Sequence, residues 1–304
     1  MVSRVMRAVG VDLVNCTSTA DIHRWIDSTL IDLIVYDLEG MAADQSEALV
    51  QMVNASPNAP ALVLLNAQMM GGSLSQMLDH GPCRNVIAKV AQEGTLDISE
   101  LLLTTRKILD NDIFGVEKYL RWGCVLHSRS MTDSTQKNRV IGEFGGFLEE
   151  LDCDPRVVNQ LQLVADEFLM NGFYNAPVDE SGGRPYAALS RTVPVALASE
   201  RPLEFEYSSD GRVVAVACRD PFGSADPDRV LRSFSRALRA GKDQVNFDAG
   251  GAGIGLYMAY LNVDQLIVNV APGRMTEFIG VVDVSQRIRD RSAKAKSLHF
   301  FTAR

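Results

Sequence analysis

The sequence predicts a mixed α/β protein made of two units, and three observations carry that prediction. Residues 1–112 alternate short β-rich apolar runs with amphipathic stretches of helical period. Residues 135–285 instead gather two helices together and follow them with paired β-rich runs. Between them, residues 113–134 change character, aromatic at first and then polar, as a connector that packs on a neighbour would. A chain of 304 residues is long enough for two cores.

In the first unit "VDLVNCT", "LIDLIVYDLE", "ALVLLNA" and "NVIAKV" read as strands, with "ADIHRWIDS", "SEALVQMVNA", "SLSQMLDH" and "ISELLLTTRKIL" as helices. Such alternation argues for parallel βαβ units with helices on both faces of a sheet. In the second unit "TQKNRVIGEFGGFLEEL" and "DPRVVNQLQLVADEFLMNGFYNA" read as consecutive helices. Asp154 caps the second, with Pro155 at its first helical position. "PLEFEYSSDGRVVAVACRD" reads as a hairpin turning at Asp210 and Gly211, and "LIVNVAPGRMTEFIGVVDV" as a closing hairpin. Residues 286–304, with the basic cluster "RIRDRSAKAKS", read as a C-terminal tail or a terminal strand.

The bulk numbers exclude some functions. A net charge of −8 and a pI near 5.1 argue against a primary nucleic-acid binder, which needs a clustered basic face. No apolar run reaches the roughly 18 residues of a membrane helix, and the N-terminus lacks a signal-peptide core. Cys16, Cys83, Cys124, Cys153 and Cys218 are far apart and lack metal-site spacing, so free thiols in a cytoplasmic protein are expected.

The chemistry-bearing residues fall in the second unit. Glu167, Asn171 and Asn175 stand four residues apart, so a helix sets them along one face. An amide oxygen at Asn171 suits Mg²⁺, which binds alongside nucleotide phosphates. A carboxylate at Glu167 can take a proton from an attacking water or hydroxyl. Asp220 ends an apolar strand, where a buried carboxylate needs a donor. "GGAGIGL" is a glycine-rich turn into a helix, whose amides at Gly251, Gly253 and Gly255 can approach phosphates, with Leu256 packing inward.

In this order the segments resemble the ATP-binding fold shared by gyrase, heat-shock chaperones, histidine kinases and mismatch-repair proteins. The spacing is most similar to the anti-sigma-factor serine kinase branch. The resemblance implies a Bergerat-type α/β sandwich that binds ATP or ADP with Mg²⁺. Glu167 would be the base, Asn171 the Mg²⁺ ligand, and Asp220 and Thr276 the adenine contacts. It departs from the family at Asn175, where His, Lys or Tyr is usual, and in "DPFGS". There Phe222 and Ser224 replace glycines, with Gly223 between them. Phe222 would either close over the base or narrow its pocket. Arg229, Arg232, Arg236, Arg239 and Lys242 lie in the lid segment 225–249, either as phosphate contacts or as a solvated basic face.

The first unit resembles a response-regulator receiver domain with its first strand and acidic pair missing. Asp37 matches the phosphoacceptor position and Lys89 the family lysine, while Asn66 and Val90 depart from the pattern. It therefore reads as a pseudo-receiver used for dimerisation or docking, or as a receiver truncated by a late start.

The function expected from the whole is a cytoplasmic signalling protein, an anti-sigma-type kinase or an ATPase, acting on a protein partner. A homodimer through the receiver-like unit or the connector is one expected arrangement. The alternatives are a non-catalytic nucleotide-sensing or partner-binding scaffold and an atypical histidine kinase. The last would need His127, which reads as an ordinary loop histidine.

Overall fold

The computed structural model describes residues 2–16, 24–25, 31–37, 60–65, 78, 83–89, 96–240, 252–285 and 296–304. Its framework is a nine-stranded mixed sheet among these residues. The first three strands, β1 (Ile34–Asp37), β2 (Ala61–Leu65) and β3 (Cys83–Ala88), pair in parallel. Five more form antiparallel hairpins or edges: β4 (His127–Met131), β5 (Leu203–Ser209), β6 (Val213–Asp220), and β8 (Met275–Asp283) paired with β7 (Gln265–Ala271). The β5–β6 turn falls at Asp210 and Gly211, where Gly211 adopts φ 84°.

The strand β9 (Ser297–Thr302) lies between β3 and β7. It runs antiparallel to β3, with His299 opposite Asn85, and parallel to β7, with His299 opposite Ile267. The order is therefore β1-β2-β3-β9-β7-β8-β6-β5-β4. The two stretches that the sequence separates as units share one sheet, because "SLHFFT" supplies backbone partners to both. The hairpin β7–β8 is thus not the closing element of the fold.

Burial is near-continuous along the central strands, as a sheet covered on both faces requires, while successive residues face opposite sides. One face carries Val63, Val86, Val214, Val216, Val268, Phe278, Leu298 and Phe300. It is covered by α3 (Lys137–Glu150), α4 (Pro155–Met170), α5 (Pro227–Ala240) and α6 (Ala252–Asn262). The opposite face carries Leu62, Leu64 and Ile87 toward α1 (Val2–Ala8), and Ala215, Ala217, Ile267, Ile279 and Phe301 toward the connector. The helix α2 (Ile98–Asp110) spans both patches, through Leu101 and Ile108. Asp97 caps it by accepting from the amides of Ser99 and Glu100.

Two local expectations are corrected. The run "VDLVNCT" forms no strand: residues 11–16 have no regular structure, and the preceding "VSRVMRA" is α1. Val2, Val5, Met6 and Val9 recur at helical spacing, and burying Val5 and Met6 on Leu62, Leu64 and Leu101 outweighs the strand propensity that follows. His127 lies on β4, not in a loop, stacked on Tyr207 at a 5.1 Å centroid distance. The helical readings of residues 46–55 and 73–80 fall outside the described residues, apart from Leu78. So do those of residues 20–28, apart from Arg24 and Trp25, and the basic cluster 287–297, apart from Lys296 and Ser297. Cys16, Cys124, Cys153 and Cys218 are free thiols.

Beneath the sheet, a buried polar network ties the connector to the strands. Lys107 Nζ donates to Tyr119 Oη (2.7 Å) and Asn269 Oδ1 (3.0 Å), and lies 4.2 Å from the Phe301 ring centroid. Asn269 Nδ2 donates to Glu277 Oε2 (2.8 Å), and Arg219 donates to Glu277 Oε1 (2.7 Å). The Gly115 amide also donates to Glu277 Oε2 (3.0 Å). Burial pulls the Lys107 ammonium down to about 7, against the attraction of Glu277, which favours its charge.

Candidate functional site

Asp154 starts α4 by accepting from the Arg156 amide, with Pro155 next. Val157, Leu161, Val164, Phe168 and Leu169 turn its apolar side to the sheet. Beyond Met170 the helix widens into a π-turn, Asn171–Asn175, closed by Ala176 N donating to Asn171 O (2.8 Å). Single π-turns gather at functional positions because they re-aim the side chains that follow. Here the polar line is a ladder. Asn171 Nδ2 donates to the Glu167 carbonyl (2.7 Å), Asn175 Nδ2 to Asn171 Oδ1 (2.8 Å), and Arg191 to Asn175 Oδ1 (3.1 Å). Asn171 is buried, with 6% exposure.

Glu167 is half-buried, and its carboxylate packs directly on Gly255 in α6, where a Cβ would collide with Oε2. Its pKa is raised, first by burial and then by neighbouring Asp166, while Arg191 and Lys137 pull it back. Lys137 is itself paired with Asp166. A side chain at 255 would therefore displace the Glu167 carboxylate from α6. Gly253 lies in the first turn of α6, and Gly251 falls outside the described residues.

Asp220 and Thr276 are opposite each other at the ends of β6 and β8 and share the α4 face of the sheet by strand parity. Asp220 Oδ1 accepts from the amides of Phe222 (2.9 Å) and Gly223 (3.2 Å), so the carboxylate organises the turn that follows it. It is 2% exposed, and burial raises its pKa to about 6 against those two bonds. The Thr276 hydroxyl lies close enough to favour the carboxylate but outside hydrogen-bond geometry, and is left buried without a partner. Gly223 is at φ 59°, and a Cβ there would meet the Ala271 carbonyl and lie 2.7 Å from the Met275 amide nitrogen.

Three arginines from residues 178–202 fasten these parts together. Arg184 donates to the Asn175 carbonyl and to the Ser224 carbonyl (2.6 Å), while Ser224 Oγ donates to the Ala176 carbonyl (2.7 Å). Arg201 donates to the Pro221 carbonyl (3.0 Å) and lies 4.4 Å from the Phe222 ring centroid. Phe222 is thus buried beneath a guanidinium. The third, Arg191, sits 4.8 Å from the Tyr174 ring centroid. Sequence reasoning missed all three, because their partners lie elsewhere in the chain; an arginine-bearing, Gly- and Pro-punctuated segment after the polar helix was the available signal.

On α5, Arg229, Arg232, Arg236 and Arg239 are exposed, while Leu231, Phe234 and Ala237 face the core. That arrangement is a solvated basic face; Lys242 lies outside the described residues. In the first unit, Lys89 Nζ donates to Asp37 Oδ1 (2.6 Å), with Lys89 buried and Asp37 exposed at the end of β1. Asn66 and Val90 lie outside the described residues.

Among the described residues no cluster of three or more His, Cys, Asp or Glu side chains could hold a metal by itself. Mg²⁺ needs no such cluster where phosphates and waters complete its shell. Asn171 Oδ1, with one lone pair free beyond the Asn175 bond, fits as a single protein ligand. No helix of the described residues is long and apolar enough to cross a membrane. Comparison with protein-family models and with curated proteins gives no match.

Proposed function

We propose that residues 135–285 form a Bergerat-type nucleotide-binding unit for ATP or ADP with Mg²⁺. The chain would act in cytoplasmic signalling as an anti-sigma-type protein kinase or an ATPase, on a protein partner. The contact of Glu167 with Gly255 carries this reading: a half-buried carboxylate of raised proton affinity abuts the glycine-bearing first turns of a helix. Phosphates at that helix start would lie beside both Glu167 and Asn171. Bound there, Mg²⁺ would neutralise phosphate charge, with Asn171 Oδ1 as its protein ligand. Glu167 accepts the proton of the attacking hydroxyl or water, and its raised pKa makes it a better base than an exposed carboxylate. Asp220, with Oδ1 engaged by the turn amides, offers Oδ2 to an adenine amino group beside Thr276.

The receiver-like half enters the proposal as a pseudo-receiver. The ion pair of Asp37 with Lys89 and the parallel order β1-β2-β3 support it. A second reading, a nucleotide-sensing or partner-binding scaffold without turnover, draws on the Asp220 turn. Phe222 is buried under Arg201, and Arg184 ties that turn to the π-segment.

Titration with ATP and ADP, with and without Mg²⁺, followed by phosphate release or transfer in wild type and Glu167→Ala, tests both. Binding in both proteins with turnover only in wild type is expected. Binding without turnover that Glu167→Ala leaves unchanged selects the scaffold. No nucleotide binding at about millimolar concentration, a standard free energy near −4 kcal/mol, sinks the nucleotide site.

A further inference from the structure

Arg191 is an exposed guanidinium held in place without a direct ion pair among the described residues. Its planar group rests on the Tyr174 ring, 4.8 Å to the centroid, and donates to Asn175 Oδ1 at 3.1 Å. Tyr174 in turn donates its hydroxyl to the carbonyls of Arg191 (3.1 Å) and Val193 (2.7 Å), so the ring under the guanidinium also fixes the backbone that carries it. Arg191 forms no ion pair among the described residues. Arg129, Arg212 and Arg219 each meet a carboxylate. Arg184 and Arg201 end on backbone carbonyls and hold the Asp220 turn.

This guanidinium stands two hydrogen bonds from Asn171 Oδ1, through the Asn175 amide, and its charge reaches Glu167. One N–H meets Asn175, and the others remain for a ligand. A planar fork of donors already ordered by an aromatic ring matches phosphate oxygens. Asn175 adds no charge of its own; its oxygen orients the arginine.

We infer that Arg191 binds the phosphate chain of the nucleotide, with Tyr174 and Asn175 as its positioning residues. The inference rests on the nucleotide-binding reading above. It makes residues 178–202 part of the binding site, and it assigns Asn175 an orienting role in place of a direct phosphate contact.

Calorimetric titration of the full chain with ADP and Mg²⁺, and separately with adenosine, compares wild type, Arg191→Ala and Arg191→Lys. Thermal unfolding of each variant checks that the fold is kept. The expected result is a loss of at least about tenfold in ADP affinity for Arg191→Ala, the size of one charge-assisted contact. Arg191→Lys should fall between, since it keeps the charge but not the fork, and adenosine binding should change less than about twofold. Unchanged ADP affinity in Arg191→Ala overturns the role of Arg191 and leaves the site standing. An equal loss for adenosine and ADP overturns it too, by showing a structural effect. Absence of ADP binding in wild type overturns the inference together with the nucleotide site.

Discussion

Asp220→Asn should stabilise the protein at neutral pH by an amount that grows as pH rises. The carboxylate is buried at the end of β6, and burial lifts its pKa from 3.8 to about 6. The folded protein therefore keeps a proton that the unfolded chain has released, so wild-type stability falls as pH climbs through that window. At roughly 1.4 kcal/mol for each tenfold change in proton affinity, the full effect is about 3 kcal/mol. About 2 kcal/mol of it falls between about pH 4.5 and about pH 7.5. Asparagine does not titrate, and its Oδ1 can still accept from Phe222 and Gly223, as the aspartate does. Urea unfolding of both proteins across that range gives the difference directly, and every other titrating group cancels from it. The difference should rise in favour of Asp220→Asn by about 2 kcal/mol. A flat difference, or one that shrinks with pH, refutes the claim that burial sets this carboxylate's proton affinity. On the proposed nucleotide-binding reading, the same substitution should also weaken binding of adenine nucleotides.

Gly223→Ala should cost several kcal/mol in denaturant unfolding, because the left-handed strain of about 1–2 kcal/mol adds to overlap with the backbone of Ala271 and Arg274. Gly211→Ala is its control: Gly211 is also at positive φ but has open space around it, so only the strain of about 1 kcal/mol should appear. Lys107→Met should show the opposite pH trend to Asp220→Asn. The native lysine sheds its proton near pH 7 and the unfolded one near 10.5, so wild type gains stability over the variant as pH rises, by about 2 kcal/mol between about pH 7 and about pH 9. Equal pH dependence in the two proteins would mean that Lys107 stays charged in its buried network.

What the sequence revealed was local. The helices α3 and α4 and both hairpins could be read because their periods and turn residues lie within a few positions of one another, as with Asp154–Pro155 and Asp210–Gly211. The position of β9 could not, since nothing in "SLHFFT" says which two strands it enters between. The spacing of Glu167 and Asn171 suggested a shared face, but Gly255, which Glu167 packs on, lies 88 positions beyond it, and no local spacing rule joins the two. Spacing also put Asn175 beside Asn171, and its amide does donate to Asn171 Oδ1; what spacing could not show was the π-turn there and the Arg191 guanidinium on its oxygen. Arg184 and Arg201 act on backbone carbonyls, which every residue possesses, so no side-chain pattern announces them.

Residues 297–302 are synthesised after all the other strands of the sheet, yet they occupy its fourth position. Among the described residues β9 pairs with both part-sheets, so a chain in which it is not docked presents unpaired edges at β3 and β7. Such edges recruit strands of other chains. Ser297, Leu298, His299, Phe300 and Phe301 are all buried, so a late proline or charge there would leave both part-sheets open and prone to association rather than merely trim a terminus.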